Sequence, residues 1–483
     1  MAPYCTGGFL DQQPCVFYFD DESRSLSYCY YTADFKTPGF EPQWTQIQEE
    51  SIAVVQTVDR QIGPQCGWLL LATLIFLEKK KDTHDSAQNI TVPHGVLARQ
   101  AALYFLDWDG YATDLWRKYG HVGTLPNPPD YVLMSTASGI RVAETVFRSL
   151  VMPTIAIFHP DTPFPEVVTT VNEESVTVFA RQTLLPQANE GKKLNVVLLS
   201  GDGGILEIFN ALLAEDRSEK YEAPLISIIP VGTGNALAHS CRIIQDNDVT
   251  YGLRAWFSGK PKELRLFKAT FSSGARVISD EGRRERSVDR DHQDIPTIYG
   301  AIVCSWGLHA ALVADSDTEW YRRHGADRFK MAANEALFPS DGSPPHSYKG
   351  EVYVMREFSE QYERIGEGAH GYVLASAVTH LEQGFAISPH GRPPQGKMHL
   401  VRFGPIDGQQ AMEIMKKAYA GGQHVNDDRV QYIPIERLRI EFGEEDGRWR
   451  RVCIDGKIVK VEQGGWIEVR ANQTSVISIV SMI

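Results

Sequence analysis

From residue 131 onward, short apolar runs alternate with stretches whose apolar positions recur every three or four residues. The runs Tyr131 to Met134, Thr154 to Phe158, Asn195 to Leu199 and Leu225 to Ile229 read as buried strands, whereas Arg141 to Leu150, Val176 to Leu185 and the stretch after Gly204 read as helices. Such alternation predicts an α/β layer on a parallel sheet, over residues 126–258. The pattern differs on either side. Residues 1–125 hold short aromatic runs such as Val16 to Phe19 and Tyr28 to Tyr31, then Ile52 to Val55, separated by polar turns, and read as a small β-rich extension. Residues 259–483 hold period-two pieces, Leu264 to Phe271, His399 to Phe403, Arg437 to Phe442 and Thr474 to Val480, which predict a β-sandwich with a few helices. The charged segment Arg276 to Gln293 has no apolar periodicity and reads as a loop.

Two details qualify the first region. Trp68 to Leu77 is the longest apolar run, about half the roughly 20 residues a membrane helix needs, so it reads as one or two core strands. Leu103 to Leu106 leads into a helix-like stretch holding Trp108 and Trp116. A small β-domain closed by a tryptophan-bearing helix is the shape of a pleckstrin-homology-like module; an uncategorised extension is the alternative.

Composition narrows the function classes. A chain of 483 residues is expected to form two or three domains, and 43% hydrophobic with 23% charged residues describes a folded protein. A formal charge of −13 argues against nucleic acid as a partner. Seven scattered cysteines without a CxxC pair speak against a disulfide framework or a zinc site and fit a reducing compartment. With no signal-peptide pattern at residue 1, a cytoplasmic protein is expected.

The chemistry sits behind two of the predicted strands. Ser200-Gly201-Asp202-Gly203-Gly204 follows one apolar run, and Gly232-Thr233-Gly234-Asn235 follows the next, thirty residues on. Glycines at a strand–helix junction let backbone N–H groups approach a ligand, and the helix N-terminus favours anions. Two such turns side by side suggest a polyphosphate site in which Asp202 is the only charged side chain. No GxxxxGK[ST], HExxH or GxSxG motif occurs.

The sequence from Ser200 to Asn210, followed by Pro230 to Ala238, resembles the SGDGxxxExxN and PxGTGNxxA motifs of the lipid-kinase catalytic domain shared by sphingosine, ceramide and diacylglycerol kinases. The likeness runs from about residue 130 to the end. Ser305-Trp306-Gly307 with Tyr321 to Phe329 is similar to a stretch of sphingosine kinases, as is Gly396 to Arg402 ahead of a helix near Met412 to Tyr419. Val452 to Gly456 matches the VDGE segment. The resemblance implies an NAD-kinase-like nucleotide domain followed by a lipid-binding β-sandwich, with ATP and Mg²⁺ as cofactors, a sphingoid base as substrate and peripheral contact with a membrane.

It also implies residue roles. Asp202 would be the general base, the alternative being a helix N-cap. Ser135, Ser138, Gly139, Ser200, Gly201, Gly203, Gly204, Glu207, Gly232, Thr233, Gly234 and Asn235 would cradle the nucleotide, with Asp455 and Gly456 beside it and Asp455 a candidate for the metal. Glu207 and Asn210 share a helix face and would steady the turn, or simply face solvent. Arg322 and Arg328 would clamp phosphates. Asp315 would receive a cationic head group, with Asp317 and Glu319 close enough to take its place. Diacylglycerol or ceramide kinase, a more distant NAD kinase, and a degenerate lipid- or nucleotide-binding relative are the alternatives.

Three departures bear on these roles. The family's first nucleotide motif, NPxxGxxxA, reads here Ser135 to Ala143 and keeps only Gly139 and Ala143. The following threonine segment is echoed by Thr177 to Thr183. Lys457 stands where a glutamate is usual, so that a cation faces the phosphates or help with Mg²⁺ is lost. The segment between Trp306 and Tyr321 is two residues longer than usual, which reshapes the predicted head-group pocket.

Overall fold

The computed structural model describes residues 4–10, 13–20, 25–30, 43–47, 52–61, 68–79 and 96–106, and residues 127–483 except 140, 160, 173, 246–249, 325–326 and 474. The strands before residue 107 form an antiparallel sheet in the order Thr45–Ile47, Ser25–Tyr30, Gln13–Asp20, Tyr4–Leu10, Val96–Leu106, Trp68–Lys79, Ile52–Gln61. The apolar run from Trp68 is therefore one strand. The predicted helix with Trp108 and Trp116 lies outside the described residues.

A second sheet places the glycine turns. Its order is Lys260–Glu263, Ser478–Ser481, Leu225–Pro230, Asn195–Ser200, Tyr131–Met134, Glu166–Thr169, and all neighbours are parallel except the first pair. Both faces are covered, which is why its central strands are nearly unbroken apolar runs. Leu198, Leu199, Ile226 and Ile229 are wholly buried. Leu199 lies opposite Met134 and Ser200 opposite Pro230, so three chain segments leave adjacent strands at one edge.

Three sequence expectations change here. Thr154 to Phe158 is helical, the end of a continuous run through Ala143–Val146, Phe147–Val151 and Met152–Phe158 whose middle turn is π-helical. Proline lacks an N–H and crowds the carbonyl four residues back, and a wide turn just before Pro153 accommodates both effects. The same device precedes Pro186, where Ala180–Leu184 is π-helical. The strand expected there is instead Glu166–Thr169, a largely exposed edge that the apolar pattern does not reveal.

The segment Arg276 to Gln293 is a hairpin rather than a loop, with Arg276–Ser279 paired to Arg284–Ser287 on one side and to Lys457–Lys460 on the other. Its charges suit an edge strand, where they discourage pairing with other chains. Finally, Ser478–Ser481 returns to the parallel sheet, so the last strand of the predicted β-region completes the nucleotide layer.

The remaining strands form two antiparallel sheets. One runs Thr297–Gly300, Leu266–Phe271, Trp466–Gln473, Arg437–Phe442, Tyr348–Met355, Glu363–Ile365; the other runs Arg284–Ser287, Arg276–Ser279, Lys457–Lys460, Arg451–Ile454, Val303–Gly307, Tyr372–Ser376, Met398–Phe403, Val430–Ile435. Residues from both sheets share one buried cluster around Trp306, Phe267 and Phe271. The expected amphipathic helix is Gly408–Tyr419, opened by a capping box in which Asp407 and Gln410 satisfy each other's amides.

Candidate active site

The three segments leaving the parallel strands meet. The Ser138 hydroxyl accepts the Gly201 N–H at 3.0 Å, and Val231 N–H donates to the Ser200 carbonyl at 3.1 Å. Gly201 and Gly232 are so close that a Cβ on Gly232 would lie 2.4 Å from the Gly201 Cα. Gly139 has φ +52° and no room for a side chain, since a Cβ would stand 2.4 Å from the Val231 carbonyl oxygen. At Gly203, by contrast, a Cβ would meet nothing within 4 Å. The first motif is thus integrated with the other two turns despite its missing Asn and Pro. Ser135 N–H donates to the Leu199 carbonyl, and Thr136 donates its hydroxyl to the Thr170 carbonyl at 3.0 Å. The sequence reading missed Thr170, and no periodic signal marks it.

Asp202 opens the helix Asp202–Leu213 and yet caps a different one. Its two carboxylate oxygens accept the N–H groups of Ala236 at 2.8 Å and Leu237 at 3.0 Å, the first turn of the helix Ala236–Ser240. The helix's own N-cap, Asn235, has φ +52° and directs its side chain into the turn, accepting from Gly232 N–H and donating to the Gly232 carbonyl. Base and cap are therefore compatible roles for one partly exposed carboxylate. Removal from water pushes the Asp202 pKa above the usual carboxylate range, while the two amides pull it down.

Glu207 lies partly exposed on the same helix. Asn210, three residues on and partly buried, does not simply face solvent: its amide group donates to the carbonyls of Leu206 and Tyr299 and accepts the Tyr299 N–H at 3.0 Å. It therefore fastens the Asp202 helix to the strand Thr297–Gly300. Thr233 and Gly234 are partly buried, like Gly232 and Asn235 on either side, and a Cβ on Gly234 would stand 3.0 Å from the Leu381 carbonyl.

Asp455 and Gly456 form the two-residue turn between Arg451–Ile454 and Lys457–Lys460, with φ +48° and +88°. The Asp455 carboxylate is buried and accepts three backbone N–H groups, from Ala301 at 2.6 Å, Ile302 at 3.1 Å and Val303 at 2.7 Å. Burial raises its pKa to about 7 against the pull of these amides, and the negative charge of Asp202 pushes the same way. Asp455 thus anchors the segment leading to Ser305-Trp306-Gly307. Among the described residues no three His, Cys, Asp or Glu side chains gather into a metal cluster. Lys457, next to this turn, has its pKa lowered by burial and by Arg286, with Glu207, Asp289 and Asp455 opposing.

The three remaining candidates lie between Trp306 and Phe329. Asp315 ends the helix Leu308–Asp315, and its carboxylate receives Arg448 at 3.0 Å and Arg451 at 2.7 Å. A cationic head group would have to compete with two guanidiniums, which the sequence reading did not foresee. Arg328 pairs loosely with Asp317 at 3.5 Å, and Glu319 pairs with Arg323 at 2.8 Å. Arg322 is the last residue of the short helix Glu319–Arg322. His309, unremarked in the sequence reading, bonds the Ser305 hydroxyl at 2.7 Å, and burial lowers its pKa to about 4.

The chain is similar to several known proteins. Residues 135–269 match the diacylglycerol kinase catalytic domain family. Sphingosine kinase 1 of Caenorhabditis elegans is 30% identical over 153 residues, a match that covers 32% of this chain and spans only 29% of that protein. Sphingosine kinase 1 of Homo sapiens is 25% identical over 374 residues, 71% of this chain and 89% of that protein. A crystallised diacylglycerol kinase from Bacillus anthracis str. Sterne, 13% identical, superposes with a TM-score of 0.45 over 74% of this chain and 98% of that one. The residues matched by the diacylglycerol kinase catalytic domain contain all three turns, and over most of its length this chain is similar to sphingosine kinase 1, so its likeness is to the lipid kinases that carry this domain.

Proposed function

We propose that this chain is an ATP- and Mg²⁺-dependent kinase that phosphorylates the primary hydroxyl of a sphingoid long-chain base. The observation that carries the proposal is the partly exposed Asp202 carboxylate, held by Ala236 and Leu237 where the glycine turns meet. In this reading residues 126–258, with the returning strand Ser478–Ser481, form an NAD-kinase-like nucleotide layer. The paired antiparallel sheets form the β-sandwich that takes the lipid tail. The enzyme works in the cytoplasm and touches a membrane peripherally, because its substrate resides in a bilayer.

The turns suit ATP. Backbone lines their floor at Gly201 and Gly232, and Gly203 faces open space from which phosphates can approach. Mg²⁺, held mainly by nucleotide phosphates and one or two carboxylates, neutralises phosphate charge when bound. Asp202 is the carboxylate that reaches the turns, whereas Asp455 acts by holding Ala301 to Val303 in place. A carboxylate has about four acceptor positions, and Asp202 uses two on amides, so two are left for a hydroxyl. Asp202 takes the proton of the lipid hydroxyl as that oxygen bonds to the γ-phosphorus and the link to the β–γ bridging oxygen breaks, releasing ADP. Its raised pKa makes it a better proton acceptor than an ordinary aspartate. Arg328, which pairs with Asp317 at 3.5 Å, and Arg322 are the phosphate clamps. Asp315 is the head-group acceptor, reached by displacing Arg448, which is the more exposed of its two arginines.

The occupied state of Asp315 favours a second reading, a neutral lipid alcohol such as diacylglycerol or ceramide that needs no carboxylate partner. Turnover of sphingosine, ceramide and diacylglycerol by the purified chain with ATP and Mg²⁺ decides between them. Sphingosine should be preferred; exclusive turnover of diacylglycerol removes the head-group role of Asp315, and turnover of none removes the kinase.

A further inference from the structure

At the other end of the helix Ala236–Ser240 from Asp202 lies a cavity of about 760 Å³ that plays no part in the proposed transfer. Its volume falls in the range of small-molecule sites. Four cations from three segments line it: Arg242 after the helix, Lys262 on the edge strand Lys260–Glu263 with Arg265 just beyond it, and Arg392 on the loop after Val378. One acidic side chain accompanies them, Glu263, which lies 3.6 Å from Arg265, and Ile483, the last residue, also lines the cavity. Among the described residues Arg242, Lys262 and Arg392 make no ion pair. Concentrating cations this way is unfavourable without a counter-charge, and it occurs in a chain whose formal charge is −13.

The walls are fixed in place. The Ser240 hydroxyl accepts the N–H groups of Thr379 at 3.2 Å and His380 at 3.0 Å, which ties the start of the Arg392 loop to the helix. Arg265 N–H donates to the Pro394 carbonyl at 3.0 Å and ties the other end of that loop to the edge strand. Arg242 itself has φ +54°, in the left-handed position just past the helix where glycine or asparagine is the unstrained choice. An arginine kept there turns its guanidinium toward the cavity at a cost in backbone strain, which fits a functional use of its charge.

We propose that this cavity is a second anion site, separate from the nucleotide turns, for a ligand bearing two or more phosphate groups. Arginine's planar fork suits phosphate oxygens, and four cations around one cavity exceed what a single phosphate needs. The loop that forms its wall also reaches the nucleotide turn, where Leu381 abuts Gly234, so an occupant rests on a segment that contacts both sites.

The test uses the full chain with the nucleotide turns saturated by a non-hydrolysable ATP analogue. Inorganic tripolyphosphate titrated by calorimetry should show one further binding event that weakens with salt. The double variant Arg242→Ser/Arg392→Ser should bind it roughly tenfold or more weakly, as expected for losing two charge-assisted contacts, with analogue affinity and melting temperature unchanged. Both arginines are exposed, so folding should survive; Arg392→Glu alone provides a second variant with the same expectation. Vesicles of phosphatidylcholine doped with phosphatidylinositol bisphosphate separate the sources: competition with tripolyphosphate assigns a lipid head group, and its absence a soluble phosphate. No heat beyond the analogue's site, or equal binding by the variants, overturns the proposal.

Discussion

The carboxylate of Asp202 accepts the backbone N–H of Ala236 at 2.8 Å, although 34 residues separate them, so the proposed base is also the structural clamp between the two glycine turns. Asp202→Asn keeps one acceptor oxygen and loses the other, together with the proton acceptor. Transfer should fall by about 10²–10⁴-fold, the usual contribution of a general base, while ATP affinity changes little. Loss of one cap bond should cost about 1 kcal/mol in unfolding. Steady-state kinetics, nucleotide titration and thermal melting check the three expectations; turnover retained in the variant removes Asp202 as base.

Protonation gives an independent reading of the same residue. Its pKa is raised by burial, so the acid limb of the kcat–pH profile should have its midpoint above the ordinary aspartate value of about 4. A midpoint at or below that value contradicts the burial of the ionised base.

Asp455 predicts a stability profile. Its folded pKa, about 7, exceeds the unfolded value near 4, so the folded state binds more protons within that window. Its contribution is then most favourable at low pH and falls as pH rises toward 7. In Asp202→Asn the neighbouring charge is gone, so the folded Asp455 pKa should drop and the decline, which still begins near the unfolded value, should end at lower pH. Denaturant melts of both proteins across this range measure it, and superimposable profiles would exclude the coupling.

Much of this site is readable from the sequence because strand–glycine–helix junctions are local: an apolar run, a glycine and a helical period lie side by side at Ser200 and at Gly232. The partners are not local. Asp202 finds Ala236, Asp455 finds Ala301 to Val303, and Asp315 finds Arg448 and Arg451, and nothing in hydrophobic periodicity selects one amide or guanidinium over another. The same limit hid the return of Ser478–Ser481 to the first sheet, since a buried strand reads alike in either layer. Thr154 to Phe158 misled for another reason. Its β-branched residues favour a strand, but the helix continues through Pro153 on a π turn that propensity does not register.

Asn210 joins the two layers, so its removal should uncouple stability from chemistry. Asn210→Ala leaves the Tyr299 N–H and carbonyl without their partner and should cost about 2 kcal/mol. With the Asp202 helix less firmly held, kcat should fall more than KM for ATP rises. Melting temperatures with paired kcat and KM values test this, and a stable variant with unchanged kcat would show that the link has no part in positioning Asp202.

Two glycines separate folding from ligand approach. Gly139→Ala places a Cβ 2.4 Å from the Val231 oxygen at φ +52°, so backbone must shift; it should lose about 1–3 kcal/mol of stability. Gly203→Ala meets nothing within 4 Å of its new methyl, so its melting temperature should match that of the unaltered chain. If phosphates approach the turn over Gly203, the methyl stands in their path and ATP affinity should fall by roughly tenfold or more, a loss of about 1.4 kcal/mol. Nucleotide titration against a fully folded Gly203→Ala protein therefore reports on the ligand alone. Unchanged affinity would mean that the phosphates lie elsewhere, and the assignment of the turn as their cradle would fall with it.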